Sequence, residues 1–298
     1  MDLKSYVICL SCMGNDDIGM WIGESSTTSV VTFRYGVLDD RDRTDGFRLV
    51  RFVLETMMNQ TSRNAMRFTA WSAIIGGLLA YANVGLSAAV IGTDADMVLH
   101  GASMLALPPE SRDLFRWCMV ADTFGFYFPF LIIGGYFVHV FREELGALGN
   151  MVAFAVVLYV VVGVTGAVMQ FAILHPLAHL YAGGDDATRG AAAAVWTAIA
   201  NATQNGLWWI ESPLVLFWTP IAANLLKRAG WKGSILLKIV GWAFGLFFLF
   251  GFFPELDALS NVSEAVVVLV LPLWMVWFGW QLLRRSRTYA EAAPAFAG

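Results

Sequence analysis

The stretch that decides the fold is residues 150–174, NMVAFAVVLYVVVGVTGAVMQFAIL, in which 25 consecutive positions hold no Asp, Glu, Lys or Arg. A helix needs about 20 predominantly apolar residues to cross a hydrocarbon core of about 30 Å. Lipid offers no hydrogen bonds, so the backbone N–H and C=O groups of such a segment must pair within a helix. The stretch therefore predicts a membrane-spanning helix.

Five further apolar stretches lie on either side of it along the chain. The predicted spans are 68–91, 118–140, 150–174, 193–223, 234–253 and 263–283. Composition agrees, because 58% of the 298 residues are hydrophobic and only 14% are charged, against roughly 25% charged residues in soluble domains. The sequence predicts an all-α polytopic membrane protein, a six-transmembrane-helix bundle in the cell (plasma) membrane.

Basic residues are distributed unevenly between the two ends of these spans. One end holds Arg63, Arg67, Arg142, Lys227, Arg228, Lys232, Arg284, Arg285 and Arg287, and the other holds Arg112, Arg116 and Arg189. Loops rich in Lys and Arg stay in the cytoplasm. Both termini are therefore predicted to be cytoplasmic, which agrees with an even number of spans, since that number places both termini on one side.

The beginning of the chain differs from the rest, because residues 1–56 are polar and contain no apolar run long enough to cross a membrane. We interpret 1–56 as a non-membrane extension that is disordered or dispensable. Residues 57–288 are then the six-helix transmembrane domain, and 289–298 a cytoplasmic tail. Met57 stands at the boundary and is an alternative start to Met1.

Two short patterns lie within the extension. Apolar residues in 41–56 recur at helical spacing and predict a short amphipathic helix. Cys9 and Cys12 form a single C-x-x-C. A single pair with no second pair and no nearby histidines is weak evidence for zinc, and we interpret it as having no ligand.

The fourth span carries the most polar face of the predicted bundle. A stripe about 120° wide holds Thr197, Asn201, Gln204, Asn205, Trp208, Glu211, Ser212 and Thr219. Such a stripe is expected to face the other helices. Glu211 is the single acidic residue between Thr188 and Lys227, and no Lys or Arg is predicted at its depth. Because burial disfavours a charged carboxylate, we expect a proton or a bound cation to neutralise Glu211.

Three other spans offer polar residues to the same interior. Asn83 lies on the first span, Gln170 lies on a face of the third span with Tyr159, Gly163 and Gly166, and Asp122 lies near the predicted outer end of the second span. Small residues let helices approach, and amides bond across the gap. The predicted substrate- or ion-binding residues are Glu211, Asn201, Gln204, Asn205, Asp122, Asn83 and Gln170. Alternatively, the amides serve only as interhelical hydrogen bonds, each worth about 0.6 kcal/mol.

Histidines offer a separate candidate for a metal site. His100, His175 and His179 fall at the predicted outer interface, and the last two share a face if the helix continues past Pro176. Imidazoles bind zinc or copper, so these three are the candidate metal ligands. Haem has less support, because His139 is the one histidine within a predicted span.

Other chemistry is not indicated by the sequence. We find no nucleophile–base set, P-loop or dinucleotide motif, and therefore name no catalytic residue. No basic cluster suits nucleic acid.

Two regions carry a resemblance to a known family. They are DLFRWCMVADTFGF at 113–126, and the pair Trp208–Trp209 followed by LLKRAGWKG at 225–233 and IVGWAFG at 239–245. Over about residues 65–285 the chain resembles an uncharacterised bacterial family of six-span integral membrane proteins, grouped only as a domain of unknown function. The resemblance implies a six-span topology in a bacterial inner membrane and no established activity. The long fourth span and the 56-residue extension depart from that family's usual short form.

Three functions remain open on these patterns. The first is a small-solute carrier coupled to protons or cations, with its polar site on the fourth span. The second is a non-catalytic membrane subunit or assembly factor, and the third a metal- or haem-dependent membrane enzyme. No cofactor is firmly implied. The expected partners are the lipid bilayer and either a second copy of the chain or another membrane protein.

Overall fold

The computed structural model describes the backbone of residues 6–13, 17–24, 40–92 and 94–292, and the side chains of 62–92, 94 and 96–287. The chain divides into two units, 1–62 and 63–298. In the first unit β1 (Tyr6–Met13) pairs antiparallel with β2 (Asp17–Glu24). The C-x-x-C pair lies in β1, and its side chains are outside the described residues.

Helices make up the described secondary structure from residue 40 onward. They are α1 (Asp40–Ile91), α2 (Gly101–Leu105), α3 (Pro109–Asp122), α4 (Phe128–Val140), α5 (Arg142–Leu145), α6 (Leu148–Gly183), α7 (Asp186–Ala202), α8 (Trp208–Arg228), α9 (Ser234–Phe250) and α10 (Asp257–Ala292). Two π-helical turns, π1 (Thr123–Tyr127) and π2 (Thr203–Leu207), join α3 to α4 and α7 to α8. Residues 41–56 are helical as predicted, but they begin the 52-residue α1 and do not form a short separate helix; their side chains lie outside the described residues.

Four of the described helices are long and apolar enough to span a membrane, and they indicate a membrane protein. They are Ser62–Ile91, Pro109–Val140, Leu148–Gly183 and Pro254–Arg287, which match predicted spans one, two, three and six. The predicted fourth span is helical from α7 through π2 to α8, and the fifth is the 17-residue α9. For these last two stretches, crossing of the membrane stays a prediction.

The helices of the second unit close into a ring. α6 packs on α3, α4, α7 and α8, α8 packs on α9, and α9 packs on α10. The part of α1 in this unit completes the ring, since Gly76 lies against the Pro129 ring of α4 and Gly279 of α10 lies against the Ala70 carbonyl. Glycine at these two contacts allows the helices to approach closely.

Aromatic side chains fill the centre of this ring of helices. The Phe130 ring lies 5.7 Å from Tyr159 of α6, 5.7 Å from Trp218 of α8 and 6.3 Å from Trp274 of α10, centroid to centroid. Three helices therefore meet at one residue of α4, which fixes their depth relative to one another. Such pairs add about 0.5–1.5 kcal/mol beyond the area that they bury.

A second apolar core lies at the end of the bundle where α6 meets α7. It joins α2, the second half of α3, the second half of α6, and α7. The fully buried Trp196 lies within it, and its indole donates to the Val98 carbonyl at 2.8 Å. With 36 residues, α6 is about 54 Å long, well beyond a 30 Å hydrocarbon core. Part of this core therefore stands outside the hydrocarbon.

Side-chain capping starts α7 at this end of the bundle. The Asp185 carboxylate accepts a hydrogen bond from the Thr188 backbone N–H at 2.9 Å, as an N-cap residue does. Bonding from Thr188 holds the pKa of Asp185 below its ordinary value. The α6–α7 connection is thus a defined turn between two helices.

Candidate functional site

The turn π1 interrupts the second predicted span next to a proline. Pro129 has no N–H for the carbonyl of Gly125, four residues earlier, and its ring clashes with that carbonyl in an α-helix. The helix widens here instead, and the Phe128 N–H donates to the Thr123 carbonyl five residues back. This spacing brings Asp122 and Tyr127 toward one face, whereas an α-helix would separate them by about 140°.

Two acidic side chains meet beside this turn, and we call Asp122 and Glu211 the carboxyl pair. Asp122 is 8% exposed and Glu211 is 4% exposed. They lie close enough to interact electrostatically, and both influence Tyr127. The Tyr127 hydroxyl donates to Oε2 of Glu211 at 3.4 Å. The π turn thus places α3 and α8 acids around one phenol.

A second tyrosine supports the first. The rings of Tyr159 and Tyr127 lie 5.2 Å apart, and the Tyr159 hydroxyl donates to the Phe126 carbonyl at 3.0 Å. That carbonyl belongs to π1, so α6 holds the widened turn in place. Tyr159 therefore positions Tyr127.

Among the described side chains of residues 62–287, no basic side chain forms an ion pair with Asp122 or Glu211. The two ion pairs found there are His175 with Asp113 and Arg189 with Asp186. An ionised acid buried without a partner costs several kcal/mol. The carboxyl pair therefore requires a proton or a cation.

Several buried polar atoms near these helices have no hydrogen-bond partner among the described residues. They are Oδ2 of Asp122, Oε1 of Glu211, both amide atoms of Gln170, and the hydroxyls of Thr203 and Ser212. Native interiors leave few such atoms without a partner. Their bonding capacity is free for protons, cations or a small polar ligand.

The glycine face of α6 connects the two π turns. Gly163 lies against the Tyr127 ring, and Gly166 lies against both Thr203 and Trp208. The Trp208 indole also donates to the Gly163 carbonyl at 3.2 Å. In π2, the five-residue spacing is what puts Thr203 and Trp208 on one face.

The predicted packing face of the third span is confirmed, since Tyr159, Gly163, Gly166 and Gln170 are all buried. Tyr127 against Gly163 and Arg116 against Phe171 fix the register of α3–α4 on α6. Gln170 falls between these two contacts and is fully buried, but no described hydrogen bond links it to the carboxyl pair.

The predicted stripe on the fourth span is wrong as one continuous face. Glu211 and Ser212 are buried, but Asn205 is exposed and Asn201 and Gln204 are only partly buried. π2 contains one extra residue per turn, so side chains before it fall out of register with those after it. The same shift buries Thr203 completely, a position outside the predicted stripe.

The two asparagines of that span bond to their own helix. The Asn201 side chain donates to the Thr197 carbonyl at 2.8 Å, and the Asn205 side chain donates to Oδ1 of Asn201 at 3.0 Å. They form a short polar ladder before and within π2. The structure therefore does not bring them to the carboxyl pair.

Asp122 lies deeper than its predicted position near the outer end of a span. Its helix begins at Pro109 instead of residue 118, and Asp122 ends the 14-residue α3 in the middle of the Pro109–Val140 helix. The span was predicted to begin at residue 118 because charged residues precede that position. In the structure these residues pack against α6, and the Arg116 guanidinium lies 4.2 Å from the centroid of the Phe171 ring. The predicted position near the outer end of a span is therefore replaced by a buried one in the interior.

Asn83 also stands apart from the carboxyl pair. Its amide donates to the Cys118 carbonyl at 3.0 Å and to Sγ of Cys118 at 3.2 Å. These bonds tie α1 to α3. The alternative of an interhelical hydrogen bond therefore describes Asn83.

Replacing Asn83 by Leu removes this tie and tests its structural role. We expect a modest loss of stability, about 0.6–2 kcal/mol, because membrane-embedded hydrogen bonds are individually weak. The midpoint of unfolding of the purified protein in detergent measures it. An unchanged midpoint would contradict this structural role of Asn83.

The histidines are not gathered into a metal site. α6 does continue past Pro176, but His175 lies 3.1 Å from Asp113 and His100 bonds to the Asp96 carbonyl at 2.8 Å. Among the residues searched, no group of three or more His, Cys, Asp or Glu side chains could hold a metal ion. His100, His175 and His179 therefore have no shared centre in the described part of the chain.

Tyr127 and Thr203 are site residues that the sequence patterns did not reveal. A tyrosine two residues before Pro129 within an apolar span is the available sign for the first, and no sign marks the second. No protein-family model, curated protein or solved structure matches the chain. The resemblance to a six-span family stays a prediction, and the function must be argued from the site itself.

Proposed function

We propose that this protein crosses the cell membrane six times with both termini in the cytoplasm and carries a small solute coupled to protons or cations. The carboxyl pair binds the coupling ion. The observation that carries this proposal is the burial of both Asp122 and Glu211, near enough to interact electrostatically, without a described basic partner.

Intramembrane acids favour this function over a purely structural one. Inserting a carboxyl group into a span costs about 2.5–3.5 kcal/mol of free energy. This cost is far larger than the stabilisation that an amide gains from an interhelical hydrogen bond. Acids at such positions in bundle interiors are characteristic of ion pathways and proton relays. The energy cost therefore argues that the pair is retained for ion binding.

Helix irregularity at the same depth supports the proposal independently. Transporters build ion sites where helices are broken, because irregular backbone at membrane depth is tolerated where it is buried or lines a cavity. π turns occur frequently at functional sites. Here two of them lie against neighbouring glycines of α6, π1 against Gly163 and π2 against Gly166.

The proposal is tested with purified full-length protein in liposomes. Proton movement is followed with an internal pH-sensitive dye while gradients of amino acids, monocarboxylates, sugars or sodium are imposed in turn. We expect one of these gradients to drive protein-dependent pH or sodium movement. Fluxes equal to those of protein-free liposomes under every gradient would contradict the proposal.

A membrane subunit is the second candidate, and the polar ladder on the fourth span favours it. Asn205 is exposed next to Asn201, within the stretch predicted to cross the membrane. An exposed amide at that depth is best satisfied by another helix. The ladder is then a contact for a partner chain, and the carboxyl pair remains internal.

Replacing Asn205 by Leu separates the two candidates. A subunit should lose a co-purifying partner, with a roughly threefold or greater fall in the bound fraction, because an interhelical hydrogen bond is worth about 0.6–1.7 kcal/mol. Ala198→Leu changes an exposed residue of α7, outside π2, and serves as the control. Unchanged stoichiometry in the Asn205 variant would count against a subunit.

A further inference from the structure

The three arginines at the end with few basic residues gather where α3 meets α6 and α7. Arg112 of α3 and Arg189 of α7 line one cavity of about 290 Å³ with Tyr181 of α6, and Leu105 and Leu107 complete its wall. We propose that this cavity binds a small oxyanion with the size and charge of a phosphate group.

The two arginines have bonding capacity to spare. Arg112 is partly buried and its guanidinium has no described partner. Arg189 lies 3.8 Å from the exposed carboxylate of Asp186. An ion pair this long and this exposed adds little stability, so a bound anion can replace Asp186 as the partner of Arg189.

Nearby acids are largely engaged elsewhere. Asp113 pairs with His175, and the Asp185 carboxylate accepts the N–H of Thr188. Arg116 lies one turn below Arg112 on the same face of α3 and stacks on Phe171. Asp186 is then the chief competitor of an anion for these arginines.

Guanidinium groups suit oxyanions because their planar donors match two oxygens at once. Tyr181 lines the same cavity, and its side chain carries a hydroxyl that can donate a hydrogen bond. The cavity is near the lower limit of ligand pockets, which begin at about 300 Å³. Its size and charge together select a compact anion.

The place of the cavity along α6 allows two sources for that anion. Tyr181 lies in the last turn of a 36-residue helix, which is about 54 Å long and extends beyond the hydrocarbon. The cavity therefore meets water or the headgroup layer. A dissolved phosphate and a phospholipid headgroup present the same chemistry to it.

The test measures the unfolding temperature of the full-length protein in nanodiscs. One arm adds inorganic phosphate to phosphatidylcholine discs, and the other compares phosphatidylglycerol with phosphatidylcholine discs. Ligand bound to the folded state raises this temperature. Stabilisation by phosphate identifies a dissolved anion, and stabilisation by phosphatidylglycerol alone identifies a headgroup.

Two variants of the cavity and one control make the result specific. Arg112→Gln removes a donor, and Ala182→Glu places a negative charge at an exposed lining position while keeping both arginines. Each should weaken binding at least roughly tenfold, and Arg142→Gln, outside the cavity, should not. No stabilisation in either arm, or equal stabilisation in wild type and both cavity variants, would overturn the proposal. Its failure would leave the carboxyl pair and its flux assay unaffected.

Discussion

Replacing Glu211 by Gln is expected to abolish ion-coupled flux in liposomes while leaving the bundle folded. The amide has nearly the same shape and still offers an oxygen to the Tyr127 hydroxyl, which lies 3.4 Å from Glu211 in the wild type. It cannot exchange a proton or balance a cation. We expect the coupled rate to fall by at least ~100-fold, the scale of losing a positioned proton-transfer group.

A matched substitution distinguishes this loss from a general effect of removing an acid. Glu255 is exposed in the turn before α10, outside the carboxyl pair. Glu255→Gln should therefore transport at the wild-type rate. Equal flux in wild type and Glu211→Gln, at equal amounts of reconstituted protein, would remove the carrier function and leave the subunit as the better candidate.

Burying an acid costs more free energy than burying an amide, and this difference explains which predicted residues belong to the candidate site. Asn83 bonds to Cys118 and Asn201 bonds to Thr197, so these amides are satisfied within the fold. Glu211 has Tyr127 as its described hydrogen-bond partner and a second oxygen with none. The site is therefore narrower than the set of polar residues in the predicted spans.

Hydropathy was sufficient to predict the four apolar helices, because helix length and the lack of charge are properties of the sequence itself. It placed the start of the second span too late, at residue 118 instead of Pro109. The charged residues in between are stabilised by α6, as Asp113 is by His175. Such contacts depend on the tertiary fold and leave no periodic pattern.

The buried faces of the second and fourth spans could not be predicted from a period of 3.6 residues per turn, because each of these spans contains a π turn. Each π turn adds a residue, which brings Asp122 toward Tyr127 and moves Asn205 out to the surface. Pro129 gives a physical cause for π1. π2 has no proline within it, and we have no local cause for its position.

Replacing Gly125 by Ala is expected to give a large loss of stability for the addition of a single methyl group. Gly125 lies in π1, where an added Cβ would stand 2.5 Å from the Ala80 nitrogen and 2.8 Å from its Cα. Those atoms are backbone of α1, so the whole helix must move. Overpacking of this kind costs about 1–3 kcal/mol.

Gly135→Ala is the control within the adjoining helix, because a Cβ there meets no atom within 4 Å. It should keep or raise stability by up to about 1 kcal/mol, since Ala favours helix more than Gly. Unfolding midpoints in detergent compare the two variants. Equal midpoints would show that α1 and π1 are not in the contact described. A selective loss in Gly125→Ala would show that the turn holding Asp122 and Tyr127 is fixed by α1 from one side, as it is by Tyr159 from the other.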